Sequence, residues 1–198
     1  MKRNGIIGQA LVLAALSAGM AFAQASATAE APSRSVTVDE AGRLLATGRA
    51  ALEDGLHDLA SRRLEELVDG TPDRRRQAEG ALWLARVRLA QARPAEALGL
   101  IDAHAPSARS ATLQAEFELT RAQALMALER WTEAAGVLDD FRSRRAGHAS
   151  APAAQRLLAR ARMAQREWTA ARAVCAELES VHPDSPETPA AWLDLAAA

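Results

Sequence analysis

Residues 60, 97, 134 and 171 are all alanine, and each ends a short motif: Asp58-Leu59-Ala60, Ala95-Glu96-Ala97, Thr132-Glu133-Ala134 and Thr169-Ala170-Ala171. The interval is 37 residues each time, and other rows keep the same step. Twelve positions before each alanine stands another small residue, Gly48, Ala85, Ala122 or Ala159, and one more interval reaches Ala196. Eight before stand Leu52, Leu89, Met126 and Met163; four after stand Leu64, Ile101, Leu138 and Cys175. Two weaker rows accompany them: His57, Pro94, Trp131 and Trp168 three before, and Pro72 and Pro183 twelve after the first and last anchors. Small residues recur where two helices cross closely, and large aliphatics where the pair buries its apolar face. A period of roughly 20 to 50 residues marks stacked supersecondary units, none of which can bury its apolar face alone.

Within each interval the apolar residues follow helical spacing, as in Leu82, Leu84, Val87 and Leu89, then Leu98, Ile101 and Ala105. Asp54-Gly55, Gly70-Thr71-Pro72 and His182-Pro183-Asp184 break the pattern, and Pro94 suits the first turn of a helix, where its missing N–H is harmless. The spacing predicts hairpins of helices at 38–53 and 56–69, 74–92 and 94–104, 109–129 and 131–145, and 151–166 and 168–181, closed by a last helix at 187–196. Composition agrees. Aromatic residues make up 4% of the 198 residues and tyrosine is absent, whereas strand-rich folds lean on aromatic and β-branched side chains.

Small residue, aromatic or apolar residue, alanine, apolar residue and terminal proline form a pattern that resembles the tetratricopeptide repeat (TPR). The likeness covers about residues 38–198, with repeats at about 41–77, 78–114, 115–151 and 152–188 and a partial cap at 189–198. The family repeat is usually about 34 residues; the extra three are expected in the turn between repeats. The junction His182-Pro183-Asp184-Ser185-Pro186, followed by Ala190, Ala191, Trp192, Leu193 and Leu195, resembles bacterial envelope versions, among them the Tol–Pal-associated cell-division coordinator and the outer-membrane barrel-assembly lipoproteins. The first-helix aromatic of the family is replaced by Leu44, Ala81, Glu118 and Gln155, and returns only as Trp192. The resemblance implies an all-α, right-handed α-solenoid of about four helical hairpins with a C-terminal capping helix.

The chain opens with Lys2 and Arg3, an apolar run from Ile6 to Ala23, and Ala21-Phe22-Ala23 at its end. A charged start, apolar middle and small-residue finish describe a secretory signal peptide over residues 1–23. The next residue, Gln24, is not the cysteine that lipid attachment needs. Residues 24–37, rich in Ala, Ser, Thr and Pro, are expected to form a flexible tether. The expected location is periplasmic or secreted.

No catalytic constellation emerges. His57, His104, His148 and His182 show no i, i+4 pairing and no metalloprotease motif, and the single cysteine, Cys175, sits in an aliphatic row, as a core residue would. Neither a G-x-S-x-G elbow nor a glycine-rich phosphate loop occurs. Glu65-Glu66 and Asp139-Asp140 are neighbours on helices and so do not face each other. The runs Arg74-Arg75-Arg76 and Arg142 with Arg144-Arg145 read as solvated junctions, and Trp131 and Trp168 as side chains packed across their hairpins; Trp83 and Trp192 are left unassigned. A net charge of −1 gives no support to a nucleic-acid binder. No enzyme activity, cofactor or metal is expected.

One constellation points to binding. One residue after each small-residue row stand Arg49, Arg86, Gln123 and Arg160, and one turn earlier stand Leu45, Leu82, Leu119 and Arg156. In the family the first helices line a concave groove, so the resemblance implies that these eight residues hold an extended peptide or partner helix. Arginine pairs bidentately with carboxylates, which favours an acidic segment or a free C-terminus. The expected function is an exported protein–protein interaction scaffold of the bacterial cell envelope. The alternative is a periplasmic chaperone or an accessory subunit of a secreted enzyme or assembly machine, and the weakly polar outer face of the last helix suggests self-association.

Overall fold

A computed structural model describes residues 36–198 of the chain. The expected signal peptide and nearly all of the expected tether lie outside the described residues. The last two tether residues are tied down: the Val36 N–H donates to the Gly70 carbonyl at 2.8 Å, and the Thr37 hydroxyl caps the first helix by accepting from the Glu40 N–H at 3.3 Å.

Among the described residues the chain forms nine α-helices and no strand: α1 (Val38–Glu53), α2 (His57–Gly70), α3 (Arg74–Ala90), α4 (Pro94–His104), α5 (Ala111–Ala127), α6 (Trp131–Arg144), α7 (Ala151–Ala164), α8 (Trp168–Val181) and α9 (Glu187–Ala197), with a short 3-10 turn, Ala105–Ser107, after α4. Helices α1 to α8 pair in sequence as four hairpins. Each pair packs on the next, and α9 lies on α7 and α8, giving an all-α solenoid. The first helix of each hairpin ends at 53, 90, 127 or 164 and the second begins at 57, 94, 131 or 168, so the structural period equals the 37-residue period of the sequence.

The rows occupy equivalent places. Ala60, Ala97, Ala134 and Ala171 are fully buried, as are Ala85, Ala122 and Ala159. Gly48 shows why the last row is small: a Cβ added there would sit 2.6 Å from Leu64 Cγ, closer than carbon atoms approach. Leu64, Ile101, Leu138 and Cys175 fill the facing row from the second helices. Packing of this density leaves no room for an added side chain.

Three first helices end earlier than the pattern predicts: α3 at 90 rather than 92, α5 at 127 rather than 129, and α7 at 164 rather than 166. The residues at issue close the hairpin turn. Gly55, Ala92, Glu129 and Arg166, again 37 apart, all have φ between +57° and +73°. Each turn carries the same pair of backbone bonds, shown by Leu56 N–H to Ala51 C=O at 2.7 Å and Gly55 N–H to Leu52 C=O at 3.1 Å, and repeated at Arg93/Ala92, Arg130/Glu129 and Glu167/Arg166. This is the Schellman cap, whose left-handed residue is ordinarily glycine. Only the first repeat announces it, with Gly55. In the other three an alanine, a glutamate and an arginine adopt the strained conformation, so the helical pattern reads through the turn.

Ion pairs bind successive repeats. Arg88, buried on α3, reaches back to Glu65 of α2, donates to Ser61 Oγ at 2.9 Å and to Gln91 Oε1 at 2.9 Å, and pairs with Glu96 at 3.2 Å. Arg162 of α7 repeats the contact with Asp139 of α6 at 2.6 Å. Arg145 bonds Glu118 of α5 at 2.9 Å, with its side chain only 13% exposed. The Arg142–Arg145 run is therefore a structural clamp and not a solvated junction.

Two consequences are measurable. Replacing Ala97 by arginine forces a charged side chain into a fully buried crossing, and we expect a loss of about 3 kcal/mol or more in urea unfolding. Replacing Ala92 or Glu129 by glycine relieves left-handed strain at an exposed position, so each variant gains about 1 kcal/mol and melts about 2 to 4 °C higher. Gly55→Ala shifts the melting temperature in the opposite direction.

Candidate functional site

The first helices α1, α3, α5 and α7 present the row Arg49, Arg86, Gln123 and Arg160 along one face. Arg49, Gln123 and Arg160 are exposed and Arg86 is half-buried. Among the described residues no carboxylate pairs with Arg49 or Arg160. The row one turn earlier behaves differently. Leu82 is 1% exposed and belongs to the core between α3, α4 and α5; Leu119 packs against the core of the last two repeats; only Leu45 remains half open. Arg156 is already neutralised, bonding Asp194 at 2.8 Å and Glu187 at 3.0 Å. These two carboxylates raise its pKa and fasten α9 to α7. Of the eight residues expected in the groove, then, Leu82 and Leu119 serve the core and Arg156 holds the last helix.

The structure gathers the others into two depressions. The first, about 300 Å³, lies between α1, α3 and α5 and is lined by Leu45, Arg49, Leu82, Trp83, Leu113 and Glu116 among others. Trp83 is its centre: the guanidinium carbons of Arg49 and Arg86 both stand 4.5 Å from its ring. Such cation–π contacts are worth about 0.5 to 2 kcal/mol. Arg86 also pairs with Glu116 at 3.2 Å. Its burial, reinforced by the neighbouring charge of Arg49, lowers its pKa, while Glu116 pulls the other way. Two guanidiniums and one carboxylate leave the depression a net cation. The second, about 320 Å³, is lined by Gln123, Met126, Ala127, Trp131, Leu157 and Arg160.

Trp83 is the residue that sequence reasoning left out. It stands one position before the row that runs through Leu84 on the buried side, and its partners Arg49 and Arg86 lie on two different helices. Its one signal in the chain is that it shares a 37-residue row with Thr120 and Leu157, the latter lining the second depression. Trp131 packs half-buried against the core, as expected. Trp168, expected to do the same, is 45% exposed, because no following hairpin covers it.

The groups considered for chemistry have structural duties. Burial raises the pKa of the Cys175 thiol, which points to the Ala191 carbonyl at 3.8 Å. His148 Nδ1 accepts from the Ser150 N–H at 3.1 Å and its ring meets Phe141 edge-on. Burial likewise lowers the pKa of His104. Glu65 and Asp139 are consumed by Arg88 and Arg162. Among the described residues no group of three His, Cys, Asp or Glu side chains could hold a metal ion.

No family model matches this chain, and no curated protein sequence does. Among solved structures, two crystal forms of a Podosopora anserina protein described as a kinesin light chain with nearly identical TPR-like repeats are similar to it, one of them a single-substitution variant. Each superposes with a TM-score of 0.64 over 79% of this chain and 83% of the other, at 22% and 20% sequence identity. The likeness is one of fold, and it agrees with the stacked hairpins described above: the chain is an α-solenoid of TPR-like repeats.

Proposed function

We propose that the protein is an exported interaction scaffold of the bacterial cell envelope, and that the face of α1, α3, α5 and α7 is a groove for an acidic, extended segment of a partner protein. One observation carries the reading. Arg49 and Arg160 stand exposed without a carboxylate, while nearly every other arginine that bridges repeats is matched by one. Unpaired guanidiniums beside exposed aromatic surface are what a carboxylate-bearing chain recognises, bidentately and with little desolvation. A rigid stack of repeats holds the groove open before the partner arrives, which reduces the ordering cost of binding. Export rests on the leader at residues 1–23, and the envelope on its likeness, with that of the Pro-Asp-Ser-Pro junction, to envelope repeat proteins.

Peptides selected from a random display library against the chain should be enriched in Asp and Glu and should weaken as salt rises. Arg49→Glu combined with Arg160→Glu should reduce their affinity at least tenfold, with helicity by circular dichroism unchanged. Selected peptides without acidic enrichment, or equal binding by the double variant, would falsify the groove. For export, the chain produced in a bacterium with its own leader should be recovered from the periplasm with Gln24 as its first residue. Recovery of the intact chain from the cytoplasm would remove the envelope assignment.

A further inference from the structure

The two depressions differ in chemistry. The first is cationic and aromatic, built on Arg49, Trp83 and Arg86. The second is mainly apolar: Met126, Ala127, Trp131 and Leu157 form its walls, and Gln123 and Arg160 stand at its rim. Trp131 makes this possible. The same row holds a proline at Pro94, where no comparable wall exists, and at Trp168 the following hairpin is missing. Between the depressions the shared row narrows to Thr120, which is buried and turns its hydroxyl back onto the Glu116 carbonyl at 2.8 Å. No large side chain stands in that row between Trp83 and Leu157.

We infer that the second depression is an anchor site for one bulky apolar side chain of the same ligand, so that the partner segment carries an acidic cluster and an aromatic or large aliphatic residue at a fixed separation. This rests on the groove reading above. The separation follows from the stacking. Trp83 and Leu157 are two repeats apart in one row, and α5 packs between α3 and α7. With packed helix axes about 8 to 10 Å apart, the anchors lie about 20 Å apart. An extended chain covers that in about six residues. The volume of the second depression suits a single side chain held at a partly desolvated rim, where an aromatic ring adds hydrophobic contact with Trp131. Arg160 at the rim favours a carboxylate next to that residue.

The test uses the chain and labelled synthetic peptides in fluorescence anisotropy. One peptide carries a Glu-Glu pair alone. The others join it to a phenylalanine through Gly/Ser spacers of about two, five and eight residues, in both chain directions. The intermediate spacer in one direction should bind about tenfold more tightly than the Glu-Glu peptide, and the other spacers less so. Trp131→Ala should remove that gain and leave the Glu-Glu peptide unaffected. Ala127→Arg, at an exposed position lining the depression, should do the same without touching the core, and so guards against a folding defect in the tryptophan variant. Equal affinity for every spacer, or a gain retained in both variants, overturns the second anchor and leaves the cationic one standing. If the Glu-Glu peptide fails to bind, or is indifferent to Arg49→Glu, the groove itself falls and the second anchor with it.

Discussion

Each hairpin is held at a crossing where a residue with at most a methyl group meets a large aliphatic from its partner helix. At Gly48 and Leu64 the fit is so close that one added carbon would overlap. In the later repeats alanine takes the small side, and Ile101, Leu138 and Cys175 take the large one. This contact fixes how the two helices cross, and so how the next hairpin can stack. A chain of small units has little core in any one of them, and its stability lies largely in the interfaces between neighbours. The 37-residue interval is the sequence expression of a single contact made four times.

Charge then ties the stack together along seams that the apolar rows leave open. Arg88 and Arg162 occupy one row with Ala51 and Leu125, so alternate repeats answer the same geometric position with a guanidinium or with an apolar side chain. The forked, always-charged group suits the task, since Arg88 satisfies two carboxylates, a hydroxyl and an amide at once. Arg156 does the equivalent for the end of the stack by gripping Glu187 and Asp194 of the last helix. Lys2 is the only lysine in the sequence, so every described basic side chain other than histidine is capable of this multivalent pairing.

Against that background the face of α1, α3, α5 and α7 is the exception. Arg49 and Arg86 share one indole and one carboxylate, an arrangement with an uncompensated positive charge. Arg160 stands at the rim of an apolar hollow with no acid of its own. The interior economy of the stack is saturated, and the open valences are concentrated where a partner could reach them. At the far end α9 buries Ala191 but leaves Leu193 69% exposed, so the cap closes the core without being polar itself.

The sequence alone determined the hairpins, their number, their period and the residues at the crossings, because side-chain size at a close contact is a constraint that recurs at a constant interval. It placed Cys175 in the core for the same reason. It overran three helices, since the left-handed turn residue is glycine only at Gly55 and is hidden as Ala92, Glu129 and Arg166 elsewhere. Only the tertiary structure decided which arginines are spent and which are free. Arg156 finds its acid 38 residues away and Arg86 finds Glu116 30 residues away, across seams between helices. A long flexible side chain chooses its partner by what the stacking brings within reach, and no spacing along the chain records that choice.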